Sequence, residues 1–170
     1  MVVGQTDSPD LLPLQGGGTN AHAQSTLAGG LDLFFTELND DGVLQWSTYY
    51  GTVSSESIEG LQSLEFDPAG NAYIVYKIGG PTLDVVPGAG WYQTEPTDQV
   101  IMEIGSDRSI SWASYFGLNN LLVRTYAVAT DEIGNIFIAG NAYELFGDLP
   151  FSSTVELDGF YFQSDLTTGL

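Results

Sequence analysis

Apolar and polar positions alternate with a period of two in a series of short runs along this chain. The clearest run is 43–50, "VLQWSTYY". There Leu44, Trp46, Thr48 and Tyr50 share one face, and Val43, Gln45, Ser47 and Tyr49 share the other. Strict alternation marks a strand with two distinct faces. Similar runs, rich in aromatic and β-branched residues, occur at 61–66, 72–77 and 98–104. "NDDG", "DPAG", "GSDR" and "DEIG" separate such runs and supply tight turns, with Gly or Asn where a positive φ is expected. No segment keeps a helical period. The pattern predicts an all-β chain of antiparallel strands.

The runs repeat. "DPAGNAYIVY" at 67–76 returns as "DEIGNIFIAG" at 131–140, so Asp67, Gly70 and Asn71 recur as Asp131, Gly134 and Asn135. "GVLQWSTYYG" (42–51) returns as "SISWASYFG" (109–117), and "LDLFFTEL" (31–38) as "TDQVIMEI" (97–104) and "LDGFYFQS" (157–164). An Asp precedes a Pro in each long connection, in "DLLP" (10–13), "DVVP" (84–87) and "DLP" (148–150). Landmarks in the same cyclic order, most of them about 60–66 residues apart, define a repeat of four short strands. A four-stranded antiparallel sheet at this spacing is the signature of a propeller blade.

"QWSTYYG" or "SWASYFG" followed by "DPAGNAYIV" or "DEIGNIFIAG" resembles the bacterial β-propeller repeats called SBBP repeats. The resemblance extends over essentially the whole chain. Two departures stand out: Tyr76 and Lys77 replace the usual Gly that ends the "D-x-x-G-N-x-Y-V-x-G" pattern, and the acidic loops read "GTVSSESIEG" and "GLNNLLVR". The resemblance implies a β-propeller with four-stranded antiparallel blades. By analogy with related propellers, 61–66 and 124–130 are inner strands, and 72–77 and 135–140 are second strands. Third strands fall at 32–38, 98–104 and 158–164, and outer strands at 43–50 and 109–116. "MVVGQ" stands as the second strand of the first blade. The expected units are a partial blade at 1–60, a complete blade at 61–116 and a partial blade at 117–170. About three blades are too few to close a ring, so a larger or assembled propeller is expected. The resemblance further implies a non-catalytic module of a bacterial secreted or cell-surface protein, an interaction or structural scaffold connected with adhesion or surface motility.

Composition changes this picture only in part. Of 170 residues, 22 are acidic and three basic (Lys77, Arg108 and Arg124), a formal net charge of −19. Nucleic-acid phosphates and anionic membrane surfaces are excluded as natural partners. No apolar run is long enough for a membrane span, so no membrane insertion is expected. The chain has no cysteine, which excludes disulfides and thiolate metal sites. A signal for export, if present in the parent, is expected outside this chain. The expected partner is a protein or the remaining blades of the same polypeptide, with a glycan as the alternative.

Candidate chemistry is sparse. Trp46 and Trp112 recur in register with Leu44/Ile110 and Tyr50/Phe116, which favours packing between blades over stacking on sugars. Trp91 and Tyr92, in the Gly- and Pro-flanked connection "PGAGWYQTEP", are the candidate ligand contacts. "NDDG" (39–42) and the Glu56/Glu59 pair lack calcium-loop spacing; no cofactor is expected, and a weak calcium site is the alternative. Glu65 is a carboxylate candidate for a channel-facing position. The lone histidine, His22, lies in a polar loop, and no Gly-x-Ser-x-Gly elbow occurs. "GAGWYQ" lacks the third glycine and the βαβ setting of a dinucleotide site. The expectation is no enzymatic activity, with a propeller-enzyme fragment or a carbohydrate-binding propeller as alternatives.

Overall fold

The structure, a computed structural model, describes residues 1–11, 16–80, 96–116, 121–144 and 156–164, with backbone only at 121–123, 142–144 and 156–164. Its described residues form eleven strands and no helix. The first sheet contains β1 (Val2–Thr6), β2 (Asp32–Leu38) and β3 (Leu44–Tyr50), in that order. The second contains β4 (Glu56–Ser57), β5 (Leu64–Phe66), β6 (Ala72–Ile78), β7 (Gln99–Ile104) and β8 (Ile110–Phe116). Both β4 and β5 pair with β6, and β7 and β8 follow. The third sheet contains β9 (Leu121–Thr130), β10 (Ile136–Glu144) and β11 (Glu156–Ser164), with β10 central. All strand neighbours within the sheets are antiparallel, and none of the sheets closes on itself.

Turn chemistry places these strands. In the β5–β6 turn, Asp67 Oδ1 accepts the Asn71 amide at 2.8 Å, and Oδ2 accepts the Asn71 side-chain amide at 2.8 Å. Asp131 and Asn135 repeat both bonds in the β9–β10 turn, at 2.8 and 2.6 Å. Gly70 and Gly134 both adopt φ +87°, where a Cβ would be strained. The repeated "D-x-x-G-N" is therefore a turn held by its own side chains. Partial burial pushes the Asp67 carboxyl up, but bonds from Asn71 and Tyr73 outweigh it and hold the group below its ordinary value.

The sheets share two apolar cores. Leu33, Phe35, Trp46 and Tyr50 of the first sheet meet Ala72, Ile74, Tyr76, Val100, Met102 and Tyr115 of the second. The opposite face of the second sheet carries Tyr73, Val75, Ile101 and Phe116, which meet Val128, Ile136 and Ile138 of the third. The middle sheet is thus buried on both faces. Register explains the division: Ile74↔Met102 and Met102↔Ala113 point one way, while Val75↔Ile101 and Tyr73↔Glu103 point the other.

The inner strand expected at 61–66 is not continuous. It begins earlier, at Glu56, breaks after Ser57 and resumes at Leu64. Across the break Gln62 turns away from β6 to exchange backbone bonds with β9, giving its amide to Tyr126 (3.4 Å) and accepting from Val128 (2.9 Å). Gly60 packs directly on the Tyr126 backbone, an approach no side chain would permit. Glu65 lies opposite Tyr73, on the face that looks toward the third sheet. The counterpart strand β9 starts three residues earlier than the pattern predicts and runs unbroken.

Trp46 is fully buried in the first core, stacked on Phe35 at 6.0 Å. Trp112 is half-buried at the edge of the second, tilted on Tyr73 at 6.3 Å, with its Nε1 donating to Glu103 Oε2 at 2.7 Å. Both indoles face the next sheet in chain order. Trp46→Ala should lower stability by about 3–5 kcal/mol, the range for a large buried side chain, and Trp112→Ala by clearly less. Urea-denaturation midpoints check the ranking; near-zero losses at both positions would overturn the packing role.

Candidate functional site

One group of polar contacts among the described residues joins the hairpin turns of the first two sheets. The β2–β3 hairpin turns through Gly42 at φ +75°, and the β7–β8 hairpin through Arg108 at φ +69°. The two turns match bond for bond: Gly42 donates to Asn39 O (2.9 Å) and Arg108 to Gly105 O (2.7 Å). Asn39 Oδ1 accepts the amides of Asp41 (3.1 Å) and Val43 (2.8 Å), so the "NDDG" carboxylates frame a side-chain-held turn. A left-handed φ costs an L-residue about 1–2 kcal/mol, and Arg108 occupies it with its side chain directed across the sheets. Its Nε and Nη2 bond both oxygens of Glu37 on β2, at 2.7 and 2.9 Å, and Nη1 bonds Gly17 O.

Residues 17–24 form a strap closed by this arginine. Its His22 amide donates to Arg108 O at 2.8 Å, and Trp46 Nε1 donates to His22 O at 3.0 Å. Asn20 bonds Asp107 at 3.1 Å, and Gln24 bridges antiparallel to Tyr49 on β3. The strap meets the free edge of β3 at Tyr49, through the Gln24 bridge. Hydrogen bonds from Arg108 hold the Glu37 carboxyl below its ordinary 4.5, against a smaller upward push from partial burial.

A second polar cluster lies between β2 and β4. Asp32 is fully buried and accepts the amides of Ala28 (2.7 Å) and Gly29 (3.0 Å) and the Gln24 side chain (3.1 Å). Glu56, also fully buried, accepts Thr52 Oγ1 at 2.6 Å and the Thr52 amide at 3.2 Å. Burial raises the Glu56 carboxyl; the Thr52 bonds oppose this, and the charge of Asp32 adds to it. Glu59 stands apart, 3.9 Å from Lys77 and 3.3 Å from Gln99, whose Oε1 accepts the Thr125 hydroxyl of β9. Among the described residues no three His, Asp or Glu side chains are grouped as a metal site.

Trp91 and Tyr92 lie outside the described residues. The two stems of their connection line a shallow recess of about 240 Å³, formed by Ile78, Gly79, Gly80, Pro96, Thr97 and Asp98. Lys77 approaches Asp98 beside it at 3.7 Å. Neither the strap nor Arg108 stood out in the sequence. Aligning Gly42 with Arg108, 66 residues apart, was the signal available. No family model matches the chain, and a search of curated proteins finds no similar one.

Two substitutions separate the backbone and side-chain roles of Arg108. Arg108→Ala should cost about 1–3 kcal/mol for the lost charge-assisted bonds. Arg108→Gly loses the same bonds but relaxes the left-handed turn, and should cost about 1 kcal/mol less. Glu37 titrates lower when folded, so its contribution is full above 4.5 and fades as pH falls through the lowered value. Urea midpoints at neutral pH and at pH ~3.5 should differ less in Arg108→Ala than in wild type; equal differences would overturn the role of the ion pair.

Proposed function

We propose that the chain is a segment of a β-propeller of the SBBP-repeat type. In this reading it is a non-catalytic module of a bacterial secreted or cell-surface protein and serves as a protein-interaction or structural scaffold in adhesion or surface motility. The observation that carries the reading is the middle sheet. It is four strands wide, with β4 and β5 on β6, then β7 and β8, and it packs on a neighbour at either face, as the blade reading expects. Repeat-equivalent residues make both contacts: Phe35 and Trp46 look toward the second sheet as Ile101 and Trp112 look toward the third. A rigid stack of this kind presents its connections to a partner, which is a protein or further blades of the same polypeptide.

Carbohydrate binding is the weaker reading. Trp46 is buried and the half-buried Trp112 ring packs against Tyr73, which favours packing over a stacking platform at both positions. Glycan contact would fall to Trp91 and Tyr92. Among the described residues no helix is long and apolar enough to cross a membrane, which leaves β-barrels unaddressed.

The test is made in the organism that carries the gene. An antibody against the chain should label intact cells, and an in-frame deletion of these residues should impair surface attachment or partner capture while leaving growth on polysaccharides unchanged. Label confined to the cytoplasm, or loss of a hydrolytic activity on deletion, would overturn the proposal.

The excess of acidic groups supplies a separate check in vitro. Salt screens like-charge repulsion, so sodium chloride should raise Tm modestly, and millimolar calcium should do no more at matched ionic strength. A calcium-specific gain would place a cation in the acidic turns.

A further inference from the structure

His22 is the only histidine of the chain, and the fold places it at the centre of the strap. Its backbone is tied on both sides, by the amide to Arg108 O and by the carbonyl to Trp46 Nε1. The ring meets Tyr50 edge-on, with centroids 5.5 Å apart. Its Nε2 is buried and has no hydrogen-bond partner among the described residues. Such a seat suits a neutral imidazole. A second proton at Nε2 would be a buried donor with no acceptor, and an unsatisfied charged donor is expensive.

Apart from a hydrogen bond with the Tyr49 backbone, the groups around the ring offer no relief. From β3 come the Trp46 indole and Tyr50, whose hydroxyl bonds Tyr76 of β6 at 3.2 Å. Burial holds Tyr76 neutral. From the β7–β8 hairpin come Arg108, a like charge, and Asp107, which is engaged by Asn20 and Ser109. On β2 the Glu37 carboxylate is occupied at both oxygens by Arg108.

We propose that His22 is an acid-sensitive latch: its protonation expels the ring from the seat against Tyr50 and lifts residues 17–24 off the free edge of β3. Opening releases the Tyr49 amide from Gln24 O and frees the Trp46 N–H from His22 O. The direction of titration agrees. Burial lowers the His22 imidazole below 6.5, against a hydrogen bond with the Tyr49 backbone that acts the other way. A histidine depressed in the closed state stabilises closure fully above 6.5 and loses that contribution as pH falls from 6.5 through the lowered value. Glu56 has the opposite sign, favouring the folded chain as it takes up a proton, so it does not mimic the latch.

A single histidine makes the test direct. The imidazole resonances of the whole chain should titrate with a midpoint below 6.5. Over the same pH range the Tyr49 and Gly51 amides, both bonded to Gln24, should lose exchange protection after correction for intrinsic rates. The loss should reach up to about tenfold per pH unit above the closed-state midpoint, while the Asn71 amide in the β5–β6 turn keeps its protection. His22→Phe retains the edge contact with Tyr50 and should remove the pH dependence at residues 49 and 51; His22→Gln should do the same. An imidazole titrating at or above its ordinary value overturns the latch. So does unchanged protection through the titration, or an equal pH dependence in either variant; the wild-type measurements decide even if a variant does not fold.

Discussion

The structure depends on one constraint: a sheet with two apolar faces must be covered on both. The second sheet buries Ile74, Tyr76 and Met102 on one side and Tyr73, Val75 and Ile101 on the other. Neither face could remain in water without exposing a continuous apolar patch. Each neighbour covers one face, and alternation along β6 and β7 makes the two cores chemically independent. A slip of one residue in β6 would exchange the two sets of side chains, so register and stacking are fixed together. The repeat period follows from the same constraint. Each unit must return the same residue types to the same face, which is why Trp46 and Trp112 both point onward in chain order.

Strand positions were largely legible because alternation and turn chemistry are local. β2, β3, β7 and β8 lie within a residue or two of the runs that predict them, and "D-x-x-G-N" announces the β5–β6 and β9–β10 turns. The break between β4 and β5 was not legible. It arises because Gly60 approaches the Tyr126 backbone and Gln62 pairs with β9, contacts between residues some 65 positions apart. The strap was hidden for a different reason. "GGGTNAHAQST" reads as a polar loop, yet much of its attachment is through its backbone: the His22 amide and carbonyl, the Gln24 carbonyl and the Gly17 carbonyl. Composition carries no record of such bonds.

The two units differ most where polar groups join them. Position 42 is a glycine that turns at no side-chain cost, and its counterpart 108 is an arginine that accepts backbone strain. The strain is offset by bonds that reach back to Glu37 and Gly17 in the first sheet. At the equivalent of Glu37, Glu103 turns to the indole of its own sheet. Two matching hairpin turns are thus made distinct by one side chain at the tip. Such a tip tie specifies which sheet sits beside which, while the apolar faces alone would accept any similar partner.

Scarcity of cations gives this tie its weight. With 22 acidic side chains and three basic ones, most carboxylates have no basic partner available. Two of the three cations are placed at junctions: Arg108 between the first two sheets, and Lys77 between Glu59 and Asp98. The remaining buried acids are held by amides and hydroxyls instead, Asp32 by Ala28 and Gly29 and Glu56 by Thr52. Neutral donors can satisfy a carboxylate locally but add no attraction over distance. Arg108 and Lys77 thus tie separate segments, while the turns rely on self-contained hydrogen bonds. A fold arranged in this way keeps its turns when the junctions loosen, and that is the physical condition under which a strap can open without the sheets beneath it unfolding.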